Sequence, residues 1–290
     1  MAKYIDIHAH TNFKAFDEDR DVVVRRALDN DTWVINIGTQ YDTSKKAVEM
    51  TNEYKGVYAC IGLHPIHTGA SYHDQDELGE EGQEFTSRGE IFNKEKYKEL
   101  AKLGKVVGVG ECGLDYYHMD EESIEKQKVA FIAQIELANE LNLPLMLHVR
   151  NGSAGSPQVI ERNAYFDVYE LIKKYSTFSG LKGVSHFFAG NVEDVKRFIE
   201  IGIYISFAGP ITYKPKPEIC DYVGVIKETP LEYILADTDS PYVAPVPHRG
   251  TRNEPLYVRE IVKKIAEIKN LSEEEVALAI FQNAKRLFQI

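Results

Sequence analysis

The chain has 290 residues, of which 43% are hydrophobic and 27% charged, and its formal net charge is −11. This composition is typical of a folded globular protein and excludes the collagen-like, disordered and disulfide-scaffold classes. The acidic balance argues against a broad basic face for duplex DNA, because neutralising phosphates requires lysine and arginine. A bound metal ion and a few local arginines could still hold one or two phosphates on an acidic protein.

Membrane, secretory and disulfide signals are missing from the sequence. No apolar run reaches the roughly 18 residues of a membrane span, and the N-terminus lacks the basic-then-apolar plan of a signal peptide. Cys60, Cys112 and Cys220 are widely separated and show no CxxC spacing, which favours reduced thiols. We therefore expect a cytoplasmic protein without a membrane association.

Short β-rich runs alternate with longer segments of helical patterning, as is typical of a parallel sheet covered by helices. Eight nearly continuous apolar runs predict strands at Tyr4 to His8, Val34 to Gly38, Val57 to Leu63, Val106 to Gly110, Leu143 to His148, Gly183 to Phe187, Tyr204 to Ala208 and Tyr233 to Asp237. Six segments between them predict helices at Asp21 to Leu28, Thr43 to Glu53, Lys94 to Lys102, Glu122 to Leu141, Phe166 to Tyr175 and Val192 to Ile201. Eight strands are the number that closes a TIM-like (β/α)8 barrel.

Two further helices are predicted after the last strand, at Pro255 to Ile268 and Ser272 to Phe288, the second opened by a capping box of Ser272 and Glu275. Two segments look inserted: an acidic one from Ser71 to Lys98 and a Gly-, Ser- and Asn-rich one from Asn151 to Asn163. Both are expected to be loops at the carboxyl end of a strand, where they would either shape access to a site or simply be solvated. Without repeats or a linker, one domain over residues 1–290 is expected.

The potential metal ligands all fall at or just after the ends of predicted strands. His8 and His10 end the first strand, and the two-residue period of a strand points both rings to the same side. The others follow the third, fourth, fifth, sixth and eighth strands: His64, Glu111, His148, His186 and Asp239. An HxH pair alone would equally suit a solvated strand end. Because all carboxyl ends of a parallel barrel share one rim, where barrel active sites are built, the shared position favours a metal site.

The ligand set indicates more than one ion. The imidazoles of His8, His10, His148 and His186, with the carboxylates of Glu111 and Asp239, exceed what one tetrahedral ion needs. We predict two divalent ions per chain that share Glu111. Imidazole suits Zn²⁺, Mn²⁺, Co²⁺ or Ni²⁺, whereas Mg²⁺ prefers oxygen, so the identity of the metal stays open.

Seven motifs, in order and across nearly the whole chain, carry a family resemblance: IDIHAH, GLHP, GECGLDYY, LPLMLHVR, HFFAG, DTDSPY and RGTRNEP. With them the chain resembles the TatD family of metal-dependent deoxyribonucleases, part of the metal-dependent hydrolase superfamily of distorted barrels. Two departures are visible. Asp237-Thr238-Asp239 stands where the family usually has ETD, and Phe187 stands where it often has cysteine.

The resemblance implies a role for each matching residue. His8, His10 and Asp239 would hold a first metal, His148 and His186 a second, and Glu111 would bridge the two. His64 would touch a substrate phosphate, with Arg150, Arg249 and Arg252 facing the rim as phosphate partners. Neither departure removes a proposed ligand, while the two inserted segments leave the substrate range open.

These observations predict metal-assisted phosphodiester hydrolysis, with Glu111 and Asp239 as catalytic residues and Asp239 accepting a proton from the attacking water. With few cationic side chains and no long basic groove, DNA ends or single strands are the expected substrate, in a 3′-to-5′ exonuclease reaction. The alternative is a hydrolase of ester or amide bonds, such as a D-aminoacyl-tRNA deacylase. A non-catalytic metal- or nucleic-acid-binding protein would have lost a ligand, whereas all six are present.

Overall fold

The computed structural model describes residues 3–69, 71–73, 85–87, 89–117, 120–152, 163–177, 180–216 and 220–290. Residues 74–84 and 88 of the first segment predicted as an inserted loop, and residues 153–162 of the second, therefore lie outside the described residues. The strands are β1 Tyr4–Ala9, β2 Thr32–Ile37, β3 Val57–Ile61, β4 Ser71–His73, β5 Phe85–Ser87, β6 Val106–Asp115, β7 Leu145–Arg150, β8 Gly183–Ser185, β9 Ile203–Phe207 and β10 Ile234–Ala236. All eight predicted strands are present, with ends that differ by a few residues.

Eight of these strands form one parallel sheet in the order β1-β2-β3-β6-β7-β8-β9-β10. The order follows the chain except for β4 and β5, which pair with each other as a separate antiparallel hairpin. That hairpin belongs to the segment predicted as a loop. The sheet with its helices forms a nearly closed (β/α)8 barrel, which confirms the predicted fold.

The helices are α1 Arg20–Asp29, α2 Tyr41–Glu53, α3 Lys94–Leu100, α4 Glu121–Leu141, α5 Ala164–Tyr175, α6 Val192–Glu200, α7 Tyr222–Glu228, α8 Val258–Lys269 and α9 Glu273–Phe288. Only α7 was not predicted. The capping box that opens α9 is present, because Ser272 and Glu275 exchange side-chain-to-backbone hydrogen bonds of 2.9 and 3.3 Å. Within the described ranges, no helix is both long and apolar enough to span a membrane.

The barrel closes between its first and last strands. The Asp239 amide donates to the His8 carbonyl at 2.9 Å, and the His10 amide donates to the Ser240 carbonyl at 2.8 Å. Every residue of β8, β9 and β10 is buried, as expected for parallel strands covered on both faces. The three cysteines are buried and unpaired, as predicted.

Candidate metal centre

Seven residues from six strand ends meet at the carboxyl rim of the barrel. Their potential ligand atoms form three overlapping groups, in each of which the atoms lie within 4.8 Å of one another. The groups are His8 with Glu111 and His186, His8 with His10 and Asp239, and His64 with Glu111 and His148. Because His8 and Glu111 each belong to two groups, the seven residues form one continuous centre. The structure thus brings together all six predicted ligands, while their binding of metal stays a prediction.

Strand β1 presents two imidazoles to this centre. The Nε2 atoms of His8 and His10 lie 3.2 Å apart. Nδ1 of His10 lies 3.1 Å from the Ile37 carbonyl oxygen, which can only accept, so Nδ1 carries the proton. In the neutral ring, Nε2 of His10 is then left with a lone pair facing the centre.

Glu111 lies between two sets of histidines. Its Oε1 faces His186 Nε2 at 2.9 Å, His148 Nδ1 at 3.1 Å and His64 Nε2 at 3.3 Å. Its Oε2 faces the other way, towards His8 Nε2 at 3.4 Å and His10 Nε2 at 3.8 Å. One carboxylate therefore has an oxygen directed at each set.

A change of register in β6 places Glu111 there. The pairing of β6 with β7 shifts between Val109 and Cys112, and Gly110 inside this shift has a φ of +144°. A Cβ atom at Gly110 would overlap the Met146 carbonyl oxygen, so only glycine fits. The predicted strand ended at Gly110, whereas β6 continues to Asp115 and carries Glu111 within it.

Asp239 follows β10 and is oriented by its backbone. It adopts a left-handed φ of +54°, and its Oδ1 lies 3.4 Å from His10 Nε2 and 3.7 Å from His8 Nε2. The preceding residue, Thr238, donates to the buried carboxylate of Asp6 from its amide at 2.9 Å and from its hydroxyl at 2.5 Å. Asp6 is thus a support for Asp239 that the sequence interpretation missed; a carboxylate inside an apolar strand was the available signal.

His148 is held from behind by a second missed residue, Asp115. Nε2 of His148 lies 2.8 Å from Asp115 Oδ2, which leaves Nδ1 to face Glu111. Burial lowers the pKa of His148, but the hydrogen bonds to Asp115 and Glu111 outweigh it and raise the pKa to about 9. A carboxylate behind a histidine is a common arrangement around metal ligands, because it fixes the tautomer and the ring.

The ligands of the centre differ in protonation. The pKa of His148 is about 9, and burial lowers the pKa of His186 but Glu111 and Asp237 outweigh it and raise the pKa well above its usual value, so both histidines would release a proton when a metal binds. Burial raises the pKa of Glu111, but His64, His8 and His186 outweigh it and bring the pKa well below its usual range. Burial likewise opposes ionisation of Asp239, yet the neighbouring His10, His186 and His8 lower its pKa. Burial and the nearby His186 lower the pKa of His8 to about 4. Both carboxylates are therefore ionised and His8 is neutral near pH 7, which are the forms that bind metal.

These residues fit a transition metal. The lone pair on His10 Nε2 faces carboxylate oxygens of Asp239 and Glu111 at 3.4 and 3.8 Å. Electron-rich atoms gathered in a buried site repel one another unless a cation lies among them. Imidazole nitrogen combined with carboxylate oxygen is the donor set that Zn²⁺ and its neighbours prefer.

His64 differs from the other histidines in its tautomer. Its Nδ1 accepts a hydrogen bond from the Ile66 amide at 3.3 Å, so in the neutral ring the proton is on Nε2, the atom that faces Glu111. A ring nitrogen carrying a proton donates a hydrogen bond rather than binding metal. Because that N–H faces Glu111 at 3.3 Å, the contact of His64 with a substrate phosphate stays a prediction.

The three predicted phosphate arginines lie in different settings. Arg150 stacks over the Tyr117 ring at 3.7 Å, and its Nη1 is 4.0 Å from Asp115, beside the centre. Arg249 lies over the Tyr213 ring at 4.5 Å. Arg252 instead donates two hydrogen bonds to Asp19, at 2.9 and 2.6 Å. Because Asp19 accepts hydrogen bonds from both terminal nitrogens of the guanidinium, Arg252 connects its loop to the start of α1. Its contact with a substrate phosphate stays a prediction.

Comparison with known proteins identifies the family. Residues 5–289 match the family model described as TatD related DNase. The chain is 36% identical over 288 residues to the uncharacterized metal-dependent hydrolase YabD of Bacillus subtilis (strain 168), covering 98% of each chain. It is 28% identical over 290 residues to the uncharacterized metal-dependent hydrolase YcfH of Escherichia coli (strain K12), covering 99% of this chain and 96% of YcfH.

A solved structure agrees with this assignment. The crystal structure of the TatD homologue YjjV of Escherichia coli K12 is similar with a TM-score of 0.79 and 25% identity, covering 100% of this chain and 99% of YjjV. The match spans the barrel and every residue of the centre described above. The chain belongs to the TatD family of metal-dependent hydrolases.

Proposed function

We propose that the protein is a phosphodiesterase that uses two divalent metal ions to remove nucleotides from DNA ends, acting as a 3′-to-5′ exodeoxyribonuclease. The observation that supports this most directly is Glu111, whose two carboxylate oxygens face separate sets of histidines. Such a carboxylate is the shared ligand that a pair of ions needs.

This geometry is compatible with the two ligand sets that the family resemblance implies. His8, His10 and Asp239 would hold the first ion, His148 and His186 the second, and Glu111 both. Zn²⁺, Mn²⁺, Co²⁺ and Ni²⁺ suit these donors, and Mg²⁺ remains a candidate. Ions bound there would polarise the phosphate and lower the pKa of a water molecule to roughly 7.

The side chains of the centre would carry the remaining chemistry. Asp239, ionised because the neighbouring imidazoles lower its pKa, would accept the proton of the attacking water. His64 would donate from Nε2 to a phosphate oxygen, and Arg150, beside Asp115, would offset the growing negative charge. Donors of this kind favour a phosphodiester over a neutral ester or amide as substrate.

The charge of the chain supports a strand end as the substrate. With a net charge of −11, the protein lacks the excess of cationic side chains that binding to long duplex DNA requires. A terminal nucleotide needs only the few donors found near the centre. Single-stranded DNA or a frayed end is therefore the expected form.

The test is digestion of 5′-labelled single-stranded DNA by protein loaded with Mg²⁺, Mn²⁺, Co²⁺, Ni²⁺ or Zn²⁺. We expect a ladder of shortened products, and Glu111→Ala and Asp239→Asn should each lower the rate by about 100-fold or more, while the unfolding temperatures of the metal-free variants stay close to that of the metal-free wild type. Glu193→Gln, which changes an exposed carboxylate on α6, should digest normally.

Failure to digest DNA with any of the metals would refute the proposal. Rates close to wild type in both centre variants would remove Glu111 and Asp239 from the mechanism. The same metal centre could also activate water against a carbonyl group, so D-aminoacyl-tRNA, lactones and amides belong in the substrate panel. Turnover of one of these instead of DNA would identify an ester or amide hydrolase.

A further inference from the structure

Helix α4 carries two buried glutamines, Gln127 and Gln134, each only 1% exposed. They are seven residues apart, close to two helical turns, and therefore lie on the same face of the helix. The rest of this buried face is largely apolar and includes Phe131 and Ile135. Burying an amide is unfavourable unless both its donor and its acceptor are bonded, so each glutamine needs a specific partner.

Each glutamine binds both backbone polar groups of one residue. Gln127 accepts from the Asp115 amide at 2.8 Å and donates to the Asp115 carbonyl at 2.8 Å. Gln134 accepts from the Leu63 amide at 2.8 Å and donates to the Leu63 carbonyl at 3.0 Å. Each side-chain amide therefore forms the pair of hydrogen bonds that the backbone of an adjacent strand would form. Gln127 does so at the end of β6, and Gln134 does so just after the end of β3.

The two residues that are bound in this way lead into different parts of the metal centre. Asp115 holds His148 Nε2 at 2.8 Å, and His148 Nδ1 faces Glu111 at 3.1 Å. Leu63 directly precedes His64, whose Nε2 faces Glu111 at 3.3 Å. The His64 and His148 rings pack edge to face with centroids 4.2 Å apart, but each is connected to a different glutamine, so a shift of either backbone would act first on one imidazole.

We propose that Gln127 and Gln134 are positioning residues with separate tasks. Gln127 sets the orientation of His148 through Asp115 and so controls the affinity of the second metal ion. Gln134 sets the orientation of His64 through Leu63 and so controls the affinity for the substrate phosphate. The second task rests on the proposed function, whereas the first requires only that the centre binds metal.

The test uses Gln127→Met and Gln134→Met, which keep the length of the side chain but remove its donor and acceptor. Zn²⁺ is titrated into metal-free protein by calorimetry, and inorganic phosphate is titrated into the metal-loaded protein. Gln127→Met should lose about 10- to 100-fold in affinity for one of two ions, the range for losing a residue that supports a metal ligand. Excess metal should restore its turnover.

Gln134→Met should bind both ions normally but bind phosphate more weakly and show a raised KM, which excess metal does not correct. Ile135→Val on the same buried face is the matched control, and it should alter neither metal nor phosphate affinity. If both glutamine variants only lower the unfolding temperature, as Ile135→Val does, both are structural and the proposal is wrong.

Two safeguards keep the outcome interpretable. Should the methionine variants fail to fold, Gln127→Asn and Gln134→Asn keep an amide donor and acceptor but are shorter by one methylene group and cannot reach both backbone groups, and they must show the same separation of metal from phosphate effects. The two titrations need no nuclease substrate. Absence of DNA digestion by the wild type would therefore refute the proposed function while the Zn²⁺ titration still decides the role of Gln127.

Discussion

At the scale of single residues, two histidines of the centre, His10 and His148, are held from behind by hydrogen bonds. His10 donates from Nδ1 to the Ile37 carbonyl, and His148 is held by Asp115 through Nε2. Asp237 lies behind His186, 3.9 Å from its Nδ1, and is itself anchored by the hydroxyl of Ser206. The contacts of His10 and His148 select the ring nitrogen that faces the centre, because the two nitrogens of an imidazole are linked through their tautomers.

Asp6 is not one of the residues of the metal centre, but its loss should disturb the arrangement of the ligands. Its carboxylate accepts from the amides of Thr238 and His8 and from the Thr238 hydroxyl, and burial raises its pKa well above the usual range. Asp6→Ala would leave three buried donors without a partner and should destabilise the fold by about 2–4 kcal/mol. Asp6→Asn, which still accepts hydrogen bonds, should lose clearly less. Denaturant unfolding compares the two, and equal losses would rule out this role.

The difference between Asp6 and His8 shows what the sequence can predict about the centre. His8 and His10 need only a strand end and the two-residue period to be recognised as a pair. The role of Asp6 depends on Thr238, 232 residues away in sequence, and that of Gln127 on the exact end of β6. Contacts of this kind become visible only once the strands have been brought together, so ligands were predicted and their supports were not.

At the scale of elements, β6 is the strand on which the centre depends. The strand predicted from the sequence ends at Gly110, and glycine is uncommon inside strands. In the structure Gly110 instead permits a shift of register within a longer strand. This shift directs Glu111 towards both sets of histidines.

Gly110→Ala should therefore damage both the fold and the centre. The added methyl group would overlap the Met146 carbonyl, and alanine disfavours a φ of +144°; we expect a loss of about 3 kcal/mol or more, together with weaker metal binding. Gly69→Ala is the control, since nothing lies within 4 Å of a Cβ atom there and its φ is −137°. Denaturant unfolding and Zn²⁺ titration measure both effects. An unchanged Gly110→Ala protein would show that β6 tolerates another path.

At the scale of the whole molecule, alternation of strands and helices made the barrel predictable, since eight apolar runs separated by amphipathic segments allow few other arrangements. Two elements were not predicted from the sequence: the hairpin of β4 and β5, and helix α7. The three-residue strands of the hairpin are too short for a periodic signal, and α7 has only seven residues. The hairpin lies outside the alternation on which the prediction relied, whereas α7 lies between β9 and β10, where that alternation would place a helix.

Metal binding should be coupled to closure of the barrel. The first and last strands meet through the bonds between Asp239 and His8 and between His10 and Ser240, and three of these residues belong to the group predicted to hold the first ion. A ligand that binds only the folded state stabilises it by RT ln(1 + [L]/Kd), about 2.7 kcal/mol at 100 times Kd. Removing metal with EDTA should therefore lower the unfolding temperature of the wild type, and added Zn²⁺ should restore it.

The Glu111→Ala variant tests whether the stabilising ion is bound in the metal centre. Without the carboxylate shared by both ligand sets, the variant should bind metal weakly, and its unfolding temperature should respond little to EDTA or Zn²⁺. A wild-type unfolding temperature that EDTA leaves unchanged would contradict the coupling between metal and barrel closure. An equal response in Glu111→Ala would place the stabilising ion elsewhere on the molecule. Calorimetric unfolding of both proteins, with and without metal, distinguishes these outcomes.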